Sequence, residues 1–145
     1  MPSRRKVLLV DDNPDDIALT QRALLKNNMV NELRVVHDGS EAIAILDDMS
    51  EELPSIVLLD LKLPKVGGLE VLEHMRSSER TKLVPVVILT SSLEEEDRLK
   101  GYGLGANAYV RKPVDFGDFV EAVKHLGMFW LLLNEPPPTP PPAAA

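Results

Sequence analysis

Ile56-Val57-Leu58-Leu59-Asp60-Leu61-Lys62-Leu63-Pro64 is the stretch on which the fold turns. Four consecutive apolar residues run into a carboxylate and then a proline. A strand with one wet face alternates apolar and polar side chains. An unbroken run rich in Val, Ile and Leu marks a strand covered on both faces, as in a parallel sheet. Val7-Leu8-Leu9-Val10 and Val86-Val87-Ile88-Leu89 read the same way, and Leu33-Arg34-Val35-Val36 and Ala108-Tyr109-Val110 complete a set of five strands.

Helical patterns fill the intervals. Asn13 caps a first helix with Pro14 in its first turn, Ile17 and Leu24 facing the sheet. Asp38-Gly39-Ser40 opens a second, with Ala42, Ile43 and Leu46 apolar, and Gly67-Gly68 opens a third, with Leu69, Leu72 and Met75 on one face. Glu94-Leu104 gives a weaker fourth, interrupted by Gly101 and Gly103. Asp115 caps a fifth, with Phe119, Val123, Leu126 and Trp130 at helical spacing. Five βα units predict an α/β fold: a five-stranded parallel doubly wound sheet of order 2-1-3-4-5, with five helices and right-handed crossovers.

The 145 residues suit one domain, expected over residues 1–133, followed by a Pro-rich tail over 134–145 that is extended or disordered. There are no cysteines, which removes disulfides and thiolate metal sites and fits a reducing cytoplasm. A net charge of −7 argues against nucleic acid, and no apolar run reaches the length of a membrane span.

Polar residues cluster where the strands end: Asp11-Asp12 after the first, Asp60 after the third, Thr90-Ser91 after the fourth and Lys112-Pro113 after the fifth. Taken singly, each has an ordinary explanation, since Asp and Thr-Ser at such places cap helices. Taken together, they meet in one crevice at the carboxyl edge of a doubly wound sheet. Three carboxylates there repel one another, and a hard divalent cation such as Mg²⁺, which takes few carboxylates plus water and phosphate oxygens, relieves that cost. The chemistry that follows is phosphoryl transfer to Asp60. Asp12 and Asp60 would hold Mg²⁺, Lys112 would neutralise the other side of the phosphoryl group, and Thr90 would donate a hydroxyl hydrogen bond to it.

On these motifs the sequence resembles the receiver domains of bacterial two-component response regulators (CheY-like), over about residues 5–127. The carrying pieces are Val7-Leu8-Leu9-Val10-Asp11-Asp12, Val57 through Pro64, Gly67-Gly68-Leu69-Glu70, Val87-Ile88-Leu89-Thr90-Ser91 and Gly105 through Pro113. The resemblance implies Asp60 as phosphoacceptor, and Mg²⁺ bound by Asp11 through water, Asp12, Asp60 and the backbone carbonyl of Lys62. It implies Thr90 and Lys112 as phosphate contacts, Tyr109 as the aromatic that moves with Thr90, and a cis peptide before Pro113. Asp11 through Asp16, Val36 through Ala42, Gly103 through Asn107 and Phe129-Trp130 resemble, more narrowly, small stand-alone regulators paired with phytochrome-type histidine kinases.

The function expected is a switch that catalyses only its own phosphorylation and slow dephosphorylation, signalling through a protein contact because no output domain is evident. A phosphorelay intermediate or phosphate sink is the alternative. An aspartyl-phosphate phosphatase is disfavoured because Lys62 stands where such enzymes place a second acid. His37, His74 and His125 are scattered and suggest no catalytic set, so the phosphate donor is a partner's histidine. Asp12 to Asp16 does not match a Ca²⁺ loop, lacking the loop glycine and the distant bidentate Glu. The apolar stretch Met128-Phe129-Trp130-Leu131-Leu132-Leu133 exceeds what one helix face can bury on its own domain and predicts a homodimer through the C-terminal helix region with the neighbouring fourth helix and fifth strand; the alternative is that Gly127 breaks the helix and the segment folds back onto its own domain.

Overall fold

β1 (Lys6–Val10), β2 (Glu32–Val36), β3 (Ile56–Leu59), β4 (Val86–Thr90) and β5 (Ala108–Arg111) form one sheet in the order β2-β1-β3-β4-β5, every neighbouring pair parallel. The computed structural model describes residues 6–26, 32–90, 100, 102–111, 117 and 121. Among these residues stand the helices α1 (Pro14–Lys26), α2 (Gly39–Asp47) and α3 (Gly68–Ser77). The fourth and fifth helices expected from the sequence, Ser91, the segment Met128–Leu133 and the tail lie mostly or wholly outside the described residues.

The apolar runs behave as two-faced strands. Leu8, Val10, Val57, Leu59, Val86 and Ile88 turn to one side and pack with Ala42 and Leu46 of α2 and Val71, Leu72 and Met75 of α3. Val7, Leu9, Ile56, Leu58, Val87 and Leu89 turn to the other and pack with Ile17, Ala23 and Leu24 of α1. Period-two alternation thus supplies two separate cores from one sheet. In α3 the buried stripe is Val71, Leu72 and Met75, while Leu69 is only partly buried.

The helix starts are set by short-range hydrogen bonds. Asn13 Oδ1 accepts from Asp15 N at 2.9 Å and Asp16 N at 3.1 Å, so Asn13 is the N-cap and Pro14 the first helical residue. Asp38 Oδ1 accepts from Glu41 N at 2.8 Å, and Glu41 Oε2 reaches back to accept from His37 N at 2.8 Å, a reciprocal cap.

Candidate phosphoacceptor site

The carboxylates are placed by the ladder itself. Asp11, the residue after β1, donates its N–H to Val36 O at 3.1 Å and so extends the pairing with β2. Asp60, the residue after β3, donates to Val10 O at 3.0 Å and extends the pairing with β1. Both therefore emerge from adjacent strands at the carboxyl edge, where β1 has β2 on one flank and β3 on the other. Both are buried, Asp11 at 1% exposure and Asp60 at 7%.

Local turns aim the side chains. Asp11 Oδ1 accepts from Asn13 N at 3.0 Å, and Asp60 Oδ1 accepts from Lys62 N at 3.1 Å. Each carboxylate is thus oriented by an amide two residues on, an Asx-turn arrangement. The β3–α3 loop is pulled back against the site by two glycines. Gly68 donates its N–H to Leu61 O at 3.1 Å, and a Cβ at Gly68 would overlap the Asp60 carbonyl and Leu61 Cα. A Cβ at Gly39 would overlap the Val66 carbonyl. Lys65 takes the left-handed conformation at φ 64°, and its ammonium lies 3.6 Å from Asp38 Oδ2. Asp38 is held below the usual carboxylate range, chiefly by the Glu41 N–H and further by Lys65.

Asp16 joins Asp11 and Asp60. One carboxylate oxygen from each of the three lies within 4.8 Å of the others. Asp16 was not among the residues expected from the sequence. It was legible in principle: side chains in the first turn of a helix tilt toward its N-terminus, here back over the end of β1. Asp12 is exposed and stands outside that grouping. Lys62 has an exposed side chain. Thr90 closes β4, with Arg111 as its register partner, and Tyr109 pairs with Ile88. The side chains of Thr90 and Tyr109, and the whole of Lys112 and Pro113, lie outside the described residues.

The donor set fits a small hard cation. All three groups offer carboxylate oxygen. Oxygens bound to one octahedral ion at about 2.1 Å lie roughly 3–4 Å apart, which falls inside the 4.8 Å limit of the cluster. Two of the acids are buried, so their mutual repulsion is weakly screened and positive charge is the direct remedy.

A family model described as "Response regulator receiver domain" matches residues 7–124. Response regulator Rcp1 of Synechocystis sp. is 36% identical over 129 residues, which span 86% of this chain and 88% of Rcp1. Its Mn²⁺-bound crystal structure superimposes with a TM-score of 0.85, covering 92% of this chain and 99% of that one. The phosphorylated cyanobacterial phytochrome response regulator RcpA gives a TM-score of 0.88 at 36% identity, over 94% of this chain and 100% of its own. The bacteriophytochrome response regulator AtBRR is 50% identical, with a TM-score of 0.72, over 92% and 100%.

Proposed function

We propose, from the premise that this chain belongs to the response regulator receiver domain family, that Asp60 accepts a phosphoryl group from a sensor histidine kinase and that the chain is a phosphorylation-driven signalling switch. The observation that carries this reading is Asp60 itself: buried, fixed by Val10 and Lys62, and grouped with Asp11 and Asp16 at the carboxyl edge of the sheet. A carboxylate oxygen of Asp60 attacks phosphorus, the O–P bond forms, and the P–N bond to the donor imidazole breaks, leaving the imidazole nitrogen to take a proton.

Mg²⁺, when bound, supplies charge neutralisation for the phosphoryl oxygens. The residues that would hold it are Asp60, Asp11 through water, Asp12 at the exposed mouth and the carbonyl of Lys62. The ladder bond of Asp11 to Val36 and its turn with Asn13 support that role. Thr90 and Lys112 are the proposed phosphate contacts and Tyr109 the proposed switch aromatic, reading charge gained at Asp60 out to the surface of the fourth and fifth helices. Pro113 is proposed to follow a cis bond. The kinase partner is proposed to be of the phytochrome type, on the likeness to RcpA and AtBRR. Cytoplasmic placement is part of the same reading. Among the described residues no helix is long and apolar enough to cross a membrane.

The test is labelling from a phosphorylated kinase or a small phosphodonor in Mg²⁺, with peptide mapping. Wild type is expected to carry the phosphoryl group on Asp60 and Asp60→Asn none. Robust labelling of Asp60→Asn at another residue overturns the assignment. A homodimer through Met128–Leu133 remains part of the proposal on the sequence argument, and light scattering of wild type against Leu132→Glu over a concentration series decides it.

A further inference from the structure

The sequence assigns two acids to the end of β1, and the geometry points to a third contributor from α1. We propose that Asp16 is a positioning residue of the cation site, holding a water of the bound divalent ion or an adjoining ligand in place and raising the site's affinity for that ion. This rests on the phosphoacceptor reading above and extends it.

One feature singles out Asp16 from its acidic neighbours. Asp15 and Asp16 are consecutive in the first turn of α1, and both N–H groups are taken by Asn13 Oδ1, so the backbone treats them alike. Their side chains part company: Asp15 is exposed, whereas Asp16 is half-buried with its carboxylate within 4.8 Å of those of Asp11 and Asp60. A helix start needs only acids near its positive end, and Asp15 satisfies that from the solvent side. A third carboxylate beside Asp11 and Asp60 adds to the negative field at that point, and a divalent ion is drawn to that field. Separately, Rcp1, similar along nearly its whole length, has been solved holding Mn²⁺, which supports a divalent-cation site in this fold.

The experiment measures Mg²⁺ and Mn²⁺ binding by calorimetry on the full chain, for wild type, Asp16→Asn, Asp15→Asn and Asp60→Asn, with thermal melts in chelator alongside. Groups that orient a metal's ligands typically change affinity 10–100-fold when removed. Asp16→Asn is therefore expected to weaken Mg²⁺ binding roughly 10-fold or more, the melts in chelator checking that the variant is folded. Asp15→Asn removes the same charge from the same turn and is expected to change binding less than about 3-fold. Equal effects of Asp16→Asn and Asp15→Asn would reduce the role of Asp16 to bulk charge and overturn the inference, while loss of binding in Asp60→Asn leaves the phosphoacceptor reading standing. Wild type that binds neither ion overturns both.

Discussion

At the scale of single residues, the site depends on groups that carry no chemistry. Gly68 is needed because the chain returns from Leu61 so closely that any side chain would meet the Asp60 carbonyl. Gly68→Ala is expected to cost about 2 kcal/mol by overpacking. It should also slow phosphorylation of Asp60 by roughly 10- to 100-fold, since small displacements of a reacting group are expensive. Denaturant melts and phosphorylation kinetics measure the two effects separately. Asp38 makes a pH prediction. Its folded pKa lies below the ordinary value of 3.8, chiefly through the Glu41 N–H, so its stabilisation is complete above pH 3.8 and fades as pH falls through the lower folded value. Asp38→Ala should therefore melt below wild type at neutral pH, and the gap should close only below pH 3.8.

At the scale of elements, Arg76 at the end of α3 joins pieces distant in sequence. Its Nε donates to Gly105 O at 2.9 Å. Nη1 donates to Val84 O at 2.8 Å and Lys82 O at 3.1 Å, and Nη2 to Asn107 Oδ1 at 3.1 Å. Asn107 in turn accepts from Val86 N at 2.9 Å and donates its own N–H to Val86 O at 2.8 Å, so one guanidinium ties α3 to the entries of β4 and β5. Gly105 sits at φ 98°, with Arg76 packed where its Cβ would be. Burial lowers the Arg76 pKa from its usual value, and several oriented carbonyls offset that desolvation. Arg76→Ala is expected to cost about 3 kcal/mol, read as a drop on the order of 10 °C in melting temperature. Arg76→Lys should recover less than half, because a single ammonium cannot span the fork of acceptors.

At the scale of the whole molecule, strand order and metal chemistry are one fact. The sheet puts β1 beside β3, and that adjacency alone brings Asp11 and Asp60 together from positions far apart in the chain. Folding therefore assembles repulsion that the unfolded chain lacks, and a cation that binds only the assembled cluster must stabilise the fold. Mg²⁺ at about 100 times its dissociation constant is expected to add about 2.7 kcal/mol, measured as a rise in denaturation midpoint that Asp60→Asn abolishes.

The amino-acid sequence alone determined the strands, the caps at Asn13 and Asp38, and the strand-end acids Asp11 and Asp60, because these follow from period, local hydrogen bonding and chain order. It also marked the Gly105–Asn107 stretch without showing its reason, which is contact with Arg76. Tertiary structure decided what depends on approach between distant segments. Val71 is fully buried while Leu69 is only partly buried against the same core, which depends on how α3 meets the sheet. Gly39 is required because Val66 crosses it. Asp16 belongs with Asp11 and Asp60 because α1 begins at Pro14, close after β1 ends at Val10. A carboxylate has the same chemistry in solvent or in a cluster, and only the distance to its neighbours tells that Asp16, and not the adjacent Asp15, is grouped with Asp11 and Asp60.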